Sequence, residues 1–197
     1  MTDALMVFCH VVGAVLLGGG LIGVFVSDLR ARRVGELAAF AEATRAIAVF
    51  YDGVVVPGAL LLATSGGWLI VTRYGGWDFL HVPWLVGMVV LFLFEFVEGN
   101  TITRIAFMRL RRLAAESSAE GQCSPALLRE RRRLLPSFTH FLDLPVLLVI
   151  LALGVLKPAD LSLAFAGVVC ALLLAGLLTW TLTGKTLAEP ASKPAEG

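Results

Sequence analysis

The chain has 197 residues, of which 58% are hydrophobic, and its formal net charge at pH 7 is +1. This composition agrees with an integral membrane protein. A chain of this length that spends most of its residues in the membrane has no room for a sizeable soluble domain.

Five long apolar runs follow one another along the sequence, at residues 4–27, 47–72, 79–103, 137–156 and 161–183. About 20 helical residues cross a hydrocarbon core of about 30 Å, so each run is long enough to span it. The alternating pattern of a barrel strand is missing, and the spans are therefore predicted to be helices. We predict an all-α, polytopic transmembrane bundle over residues 1–187 and a disordered tail over residues 188–197.

The distribution of arginine predicts the orientation. Four arginines separate the first two runs and eight lie in the segment 104–136, whereas the second and fourth connections carry only Arg73 and Lys157. Basic loops stay in the cytoplasm, so we expect the N-terminus outside and the C-terminus inside the inner membrane of a bacterium. The same arginines would bind anionic lipid headgroups. Since topology accounts for them, we expect no nucleic-acid partner.

The basic segment 104–136 also carries a helix signal. Ser124 followed by Pro125 is typical of an N-cap and a first helical position. One stripe of that predicted helix carries Leu127, Leu128, Leu134 and Leu135. We predict a short helix at the membrane interface.

His10 lies about two turns inside the first run and shares a helix face with Gly13 and, one turn further on, Gly18. Such a stripe of small residues is typical of close packing between membrane helices, with the imidazole hydrogen-bonded to a neighbour. A second interpretation is an axial ligand, because the macrocycle of a b-type haem needs a histidine nitrogen and a wall without large side chains. Both interpretations stay open.

A second haem ligand has two candidates. By rise per residue, Met88 lies about as deep in the third run as His10 lies in the first, and His81 lies nearer the headgroups. Methionine also fills gaps in apolar cores. His81 stands close to Trp77 and Trp84, as is typical of an interfacial aromatic belt.

A second set of ionisable residues lies near the predicted inner ends of three runs: Asp52, Glu95, Glu98, His140 and Asp143. Ionised carboxylates are costly inside a bilayer, at about 2.5–3.5 kcal/mol each at a helix centre, so they face the bundle interior or reach the interface. Three interpretations compete. The residues form ion pairs at headgroup depth with arginines such as Arg104, they form a proton relay or ion site, or they bind a divalent cation.

The first half of the chain resembles a known family. The resemblance rests on His10 to Ala14 leading to Gly18–Gly19, on Asp52–Gly53 with Pro57–Gly58 and Gly66, and on Trp84 at the start of the third run. From about Ala4 to Arg104 the chain is similar to an uncharacterised bacterial family of predicted integral membrane proteins. More distantly it resembles haem-associated membrane proteins of the protoporphyrinogen oxidase and copper-resistance D types, which implies a bound b-type haem with His10 as a ligand.

Two positions depart from the oxidase pattern. The resemblance implies a lysine early in the third run and a histidine near its inner end, where this chain has Gly87 and Glu98. Oxidation of a porphyrinogen is therefore not expected.

The leading hypothesis is a membrane protein that binds haem for electron transfer or a redox reaction. The alternatives are a protein that handles protons or divalent cations through the inner acidic set, and an interaction subunit without chemistry of its own. In each case a homo-oligomer or a membrane partner protein is expected.

Overall fold

The computed structural model describes residues 2–184, and the predicted tail at 188–197 lies outside them. Within that range the chain is helical, with no β-strand, and five helices are long and apolar enough to cross a membrane. The prediction of an all-α, polytopic bundle is confirmed. The helices are α1 (Thr2–Arg33), α2 (Leu37–Phe50), α3 (Val56–Tyr74), α4 (Pro83–Glu98), α5 (Arg104–Glu120), α6 (Pro125–Arg131), α7 (Leu134–Leu156) and α8 (Ser162–Gly184).

Two π-helical turns join four of these helices into two continuous rods. The first π turn, Tyr51–Val55, connects α2 to α3, and the second, Gly99–Thr103, connects α4 to α5. Each rod has 38 residues, and a helix of that length measures about 57 Å, well beyond the hydrocarbon thickness. The segment 104–136, predicted as a basic loop, therefore consists largely of helices α5 and α6, which continue the bundle past the apolar region.

A small apolar core holds these basic extensions together. It comprises Ala31 of α1, Phe40 and Ala43 of α2, Ala114 of α5 and Leu127 of α6. The Ser124 hydroxyl accepts a hydrogen bond from the Leu127 amide at 3.2 Å, so it caps α6 as the sequence predicted. The basic end is therefore a packed part of the fold.

Glycine and proline residues determine where the helices end and begin at the opposite end of the bundle. Gly75 ends α3 in the left-handed conformation at φ 65°, a short 3₁₀ segment runs from Gly76 to His81, and Pro83 begins α4. Before α8, the Ser162 hydroxyl and backbone amide donate hydrogen bonds to Asp160 and lower the pKa of its carboxyl group.

Helix α7 lies at the centre of the bundle. In its most apolar stretch 61% of the residues are buried, against 22–33% in the other four candidate spans. One side of α7 packs on α8 through Ala171 and Ala175, and Leu147 on another side joins the core of α1, α2 and α3. Polar residues on α7 are thus forced into the interior of the protein.

Helices α1 and α3 form a close pair. A Cβ atom added at Gly13 would lie 2.8 Å from the backbone nitrogen of Leu62, and one added at Gly58 would lie 2.7 Å from that of Leu17. Neither backbone has room to move away, so both positions require glycine.

Candidate functional site

The two π turns face each other beside α7. The Tyr51 hydroxyl of the first π turn donates a hydrogen bond to the Gly99 carbonyl oxygen of the second, at 2.8 Å. Pro57 lies just after the first π turn and has no N–H for the Gly53 carbonyl, which favours an irregular turn there. π turns inside α-helices are frequent at functional sites.

Carboxyl groups from α4 and α7 meet next to these turns. Glu98 is 6% exposed and accepts a hydrogen bond from the Thr103 hydroxyl at 2.7 Å. That hydroxyl lies 2.9 Å from the hydroxyl of Thr139 on α7. The Asp143 side chain lies next to Glu98, close enough for the two carboxyl groups to interact. Because an ionised carboxylate only accepts hydrogen bonds, a direct bond between these two carboxyl groups would require a proton on one of them.

His140 lies between two carboxyl groups. Its Nε2 is 3.6 Å from Asp28 Oδ2 and its Nδ1 is 3.9 Å from Asp143 Oδ2, and the three residues are 3–5% exposed. Both ring nitrogens and Asp143 Oδ2 lack a hydrogen-bond partner among the described residues. Movement of about 1 Å would bring either pair into hydrogen-bond distance.

Asp28 extends this row towards the basic end. Its Oδ2 accepts a hydrogen bond from Arg32 Nε at 2.7 Å, and Arg32 also donates to the Ser137 hydroxyl at 3.2 Å. Asp28 and Tyr51 are not among the candidate residues that the sequence predicted. Asp28 directly follows the first apolar run, and its spacing of four residues from Arg32 was the available signal.

Two cavities adjoin the row of polar residues. The first, here called the basic-end cavity, measures about 380 Å³ including its open part and is lined by Asp28, Arg32, Arg131 and His140 among others. The second, here called the acidic cavity, measures about 460 Å³ on the same basis. Glu95, Asp143 and Tyr51 line it together with apolar side chains. His140 faces the first cavity and Asp143 the second, so the contact between them separates the two.

The five residues of the predicted acidic set do not form one group. Glu95, Glu98, His140 and Asp143 come together, but Asp52 is exposed and forms an ion pair with Arg104 at 2.8 Å. Asp52 thus forms an ion pair with an arginine, as the first of the three interpretations predicts. Within residues 2–184 no three His, Cys, Asp or Glu side chains are placed to hold one metal ion, and the divalent cation stays a prediction.

His10 packs against α3. Its Nδ1 lies 3.3 Å from the Ser65 hydroxyl oxygen, and a Cβ atom added at Gly66 would lie 3.1 Å from the imidazole ring. Gly13 contacts the α3 backbone, and Gly18 lies near Leu147 of α7. These contacts are the close packing between helices that the first interpretation of the glycine stripe predicts. Haem binding through His10 stays a prediction.

The other two haem candidates lie elsewhere. Met88 packs against α7, where its sulfur would be 3.2 Å from a Cβ atom added at Gly154. His81 is exposed at the end of the 3₁₀ segment. Met88 therefore contacts a different helix from His10 and fits the core-filling interpretation.

Comparison with known families agrees with the fold. A family model described as predicted integral membrane protein (DUF2269) matches residues 4–158. The chain belongs to this family. No curated protein and no solved structure matches the chain. The family resemblance seen in the first half of the sequence is confirmed and extends into α7, while the more distant likeness to haem-associated proteins stays a prediction.

Proposed function

We propose that this membrane protein binds and relays protons through the row Asp28, His140, Asp143 and Glu98. The proposal rests on the position of His140 between two buried carboxyl groups, where neither ring nitrogen is hydrogen-bonded to any residue in the range 2–184. Imidazole is suited to a relay because it accepts a proton on one nitrogen and releases one from the other.

The burial of the row supports this function over a structural one. Buried polar groups in proteins are normally hydrogen-bonded, and an unpartnered group costs about 1–3 kcal/mol. Leaving both His140 nitrogens and Asp143 Oδ2 without a hydrogen-bond partner among residues 2–184 is therefore unfavourable for packing alone. A chemical role explains why such groups lie there.

The adjacent carboxyl groups of Asp143 and Glu98 give the relay an acceptor. A pair of carboxyl groups that shares a proton changes its charge when a proton arrives or leaves. Glu95 lines the same cavity as Asp143 and lies close enough to interact electrostatically with Glu98. The carboxyl groups of α4 and α7 thus form one proton-binding unit, with His140 on its basic side.

We further propose that the basic end faces the cytoplasm of a bacterial cell, as expected from its arginines. Protons would then enter from the cytoplasmic side through the basic-end cavity. Because this cavity is lined by Asp28 and His140, the relay begins at its wall.

Proton uptake by the purified protein tests the proposal. A stopped-flow pH step in weak buffer, followed with a pH-indicator dye, gives the number of protons bound per chain and their rate of binding. Asp143→Asn should lower the number, because the amide has the shape of the acid but does not titrate. His140→Gln should slow the uptake, since the carboxyl groups would lose their relay.

Two control variants match these changes. Asp52→Asn removes an exposed acid that pairs with Arg104, and His81→Gln removes an exposed imidazole far from the row. Neither should affect the buried step. Equal proton numbers and rates for the wild type, Asp143→Asn and His140→Gln would refute the proposal.

A further inference from the structure

The basic-end cavity contains a cation that the proton relay does not use. Arg131 of α6 lines this cavity and places its guanidinium group 4.3 Å from the ring centroid of Phe40. Among the described residues no carboxylate lies within ion-pair distance of it. Arg131 thus lies against an aromatic ring and forms no ion pair with a described carboxylate.

The other charges of the cavity are arranged in pairs. Arg32 is bound to Asp28 at 2.7 Å, and Arg133 to Glu130 at 3.0 Å. Within each pair the positive and the negative charge offset each other. Arg131 is then the remaining cation among these residues of the cavity. Burial lowers the pKa of Arg131, and so does the charge of Arg32, while Cys123 and Asp28 act in the opposite direction. An anion bound in the cavity would offset the effects of burial and of Arg32.

His140 adds a second, independent observation at the same cavity. It is 3% exposed, and neither ring nitrogen has a hydrogen-bond partner among the described residues. An imidazole N–H and a guanidinium group are the donors that bind phosphate oxygens in proteins. Basic pockets between membrane helices at the headgroup level also bind anionic lipid headgroups.

We propose that the basic-end cavity is a binding site for a phosphate group, held by Arg131 with Arg32 and His140 around it. The phosphate belongs to an anionic lipid headgroup or to a small phosphate from the aqueous side, and the chemistry of recognition is the same. Phe40 fixes the guanidinium plane by a cation–π contact, so that Arg131 is placed before the anion arrives.

Chemical modification of the wild-type protein tests this site without any substitution. Phenylglyoxal reacts with accessible guanidinium groups, and mass spectrometry of peptides reports its reaction at Arg131 and at its exposed neighbour Arg132. The reaction is compared in phosphatidylcholine nanodiscs, in nanodiscs that also contain phosphatidylglycerol, and in phosphatidylcholine nanodiscs with added inorganic phosphate. We expect protection of Arg131 by at least one anion and no matching protection of Arg132.

The affinity of two variants for the protecting anion tests the role of Arg131. Arg131→Gln should weaken binding of the protecting anion by about tenfold or more, the size expected for a charge-assisted contact. Arg132→Gln removes the same charge from the exposed position next to it and should change affinity little. Protection by phosphatidylglycerol alone identifies a lipid headgroup, and protection by inorganic phosphate identifies a small anion.

Either of two results would overturn the proposal: no protection of Arg131 by either probe, or equal loss of affinity in the two variants, which would indicate diffuse attraction to a basic surface. If Arg131→Gln does not fold, the protection experiment on the wild type decides alone. The proton-uptake experiment is independent of these results, because it is made on the relay residues in the absence of added phosphate.

Discussion

The Tyr51 hydroxyl and the Gly99 carbonyl oxygen, 2.8 Å apart, connect the two π turns of the protein. Gly99 is a necessary partner, since a Cβ atom at that position would lie 2.8 Å from the same hydroxyl oxygen. The contact holds the end of α4, where Glu95 and Glu98 lie, against the first π turn. It is therefore the structural basis of the candidate site.

Tyr51→Phe removes this bond and leaves the Gly99 carbonyl with one partner fewer. We expect a loss of about 1 kcal/mol in the free energy of unfolding. Thermal unfolding in detergent, followed by circular dichroism, measures it. Tyr74→Phe, at a tyrosine that contacts Trp84 at the far end of the bundle, is the matched control and should change little.

Gly99→Ala should destabilise the protein through the same contact, because the new methyl group displaces the Tyr51 hydroxyl. The double variant Tyr51→Phe with Gly99→Ala should then lose less stability than the sum of the single variants. Strict additivity in this cycle would show that the two residues act independently.

The close contact between α1 and α3 predicts that Gly58 does not tolerate a larger residue. Gly58→Ala introduces a Cβ atom 2.7 Å from the Leu17 backbone nitrogen, and the overlap should cost about 1–3 kcal/mol. Gly67→Ala, on the same helix with open space around its Cβ position, should be neutral or slightly stabilising. Thermal unfolding of the two variants side by side measures the difference. Similar melting temperatures would contradict the close packing of α1 and α3.

The apolar runs predicted the helices because length and hydropathy alone determine a transmembrane span. The same criteria place the ends poorly, since a basic helix that leaves the membrane has the composition of a basic loop. The composition of α5 therefore predicts a loop, and the end of the first apolar run at residue 27 leaves Asp28 outside the predicted spans. The sequence also placed Asp52 in one set with Glu98. Position along a helix predicts how deep a residue lies in the membrane, but it does not predict whether the side chain faces the bundle interior or the surface.

Cys123 tests the predicted orientation. It is exposed between α5 and α6 at the basic end, while Cys9 lies near the opposite end of α1. In a variant that keeps only Cys123, a membrane-impermeant maleimide should leave intact cells unlabelled and react after permeabilisation. Labelling of intact cells at Cys123 would place the basic end outside.

We propose that Asp143 and Glu98 share a proton within the bundle. Infrared spectroscopy of the C=O stretch of protonated carboxyl groups detects such a proton, since ionised carboxylates do not absorb in that region. We predict a band at neutral pH that shifts in heavy water, is lost in Asp143→Asn and is retained in Asp52→Asn. A wild-type spectrum without such a band, or a band unchanged in Asp143→Asn, would contradict the account.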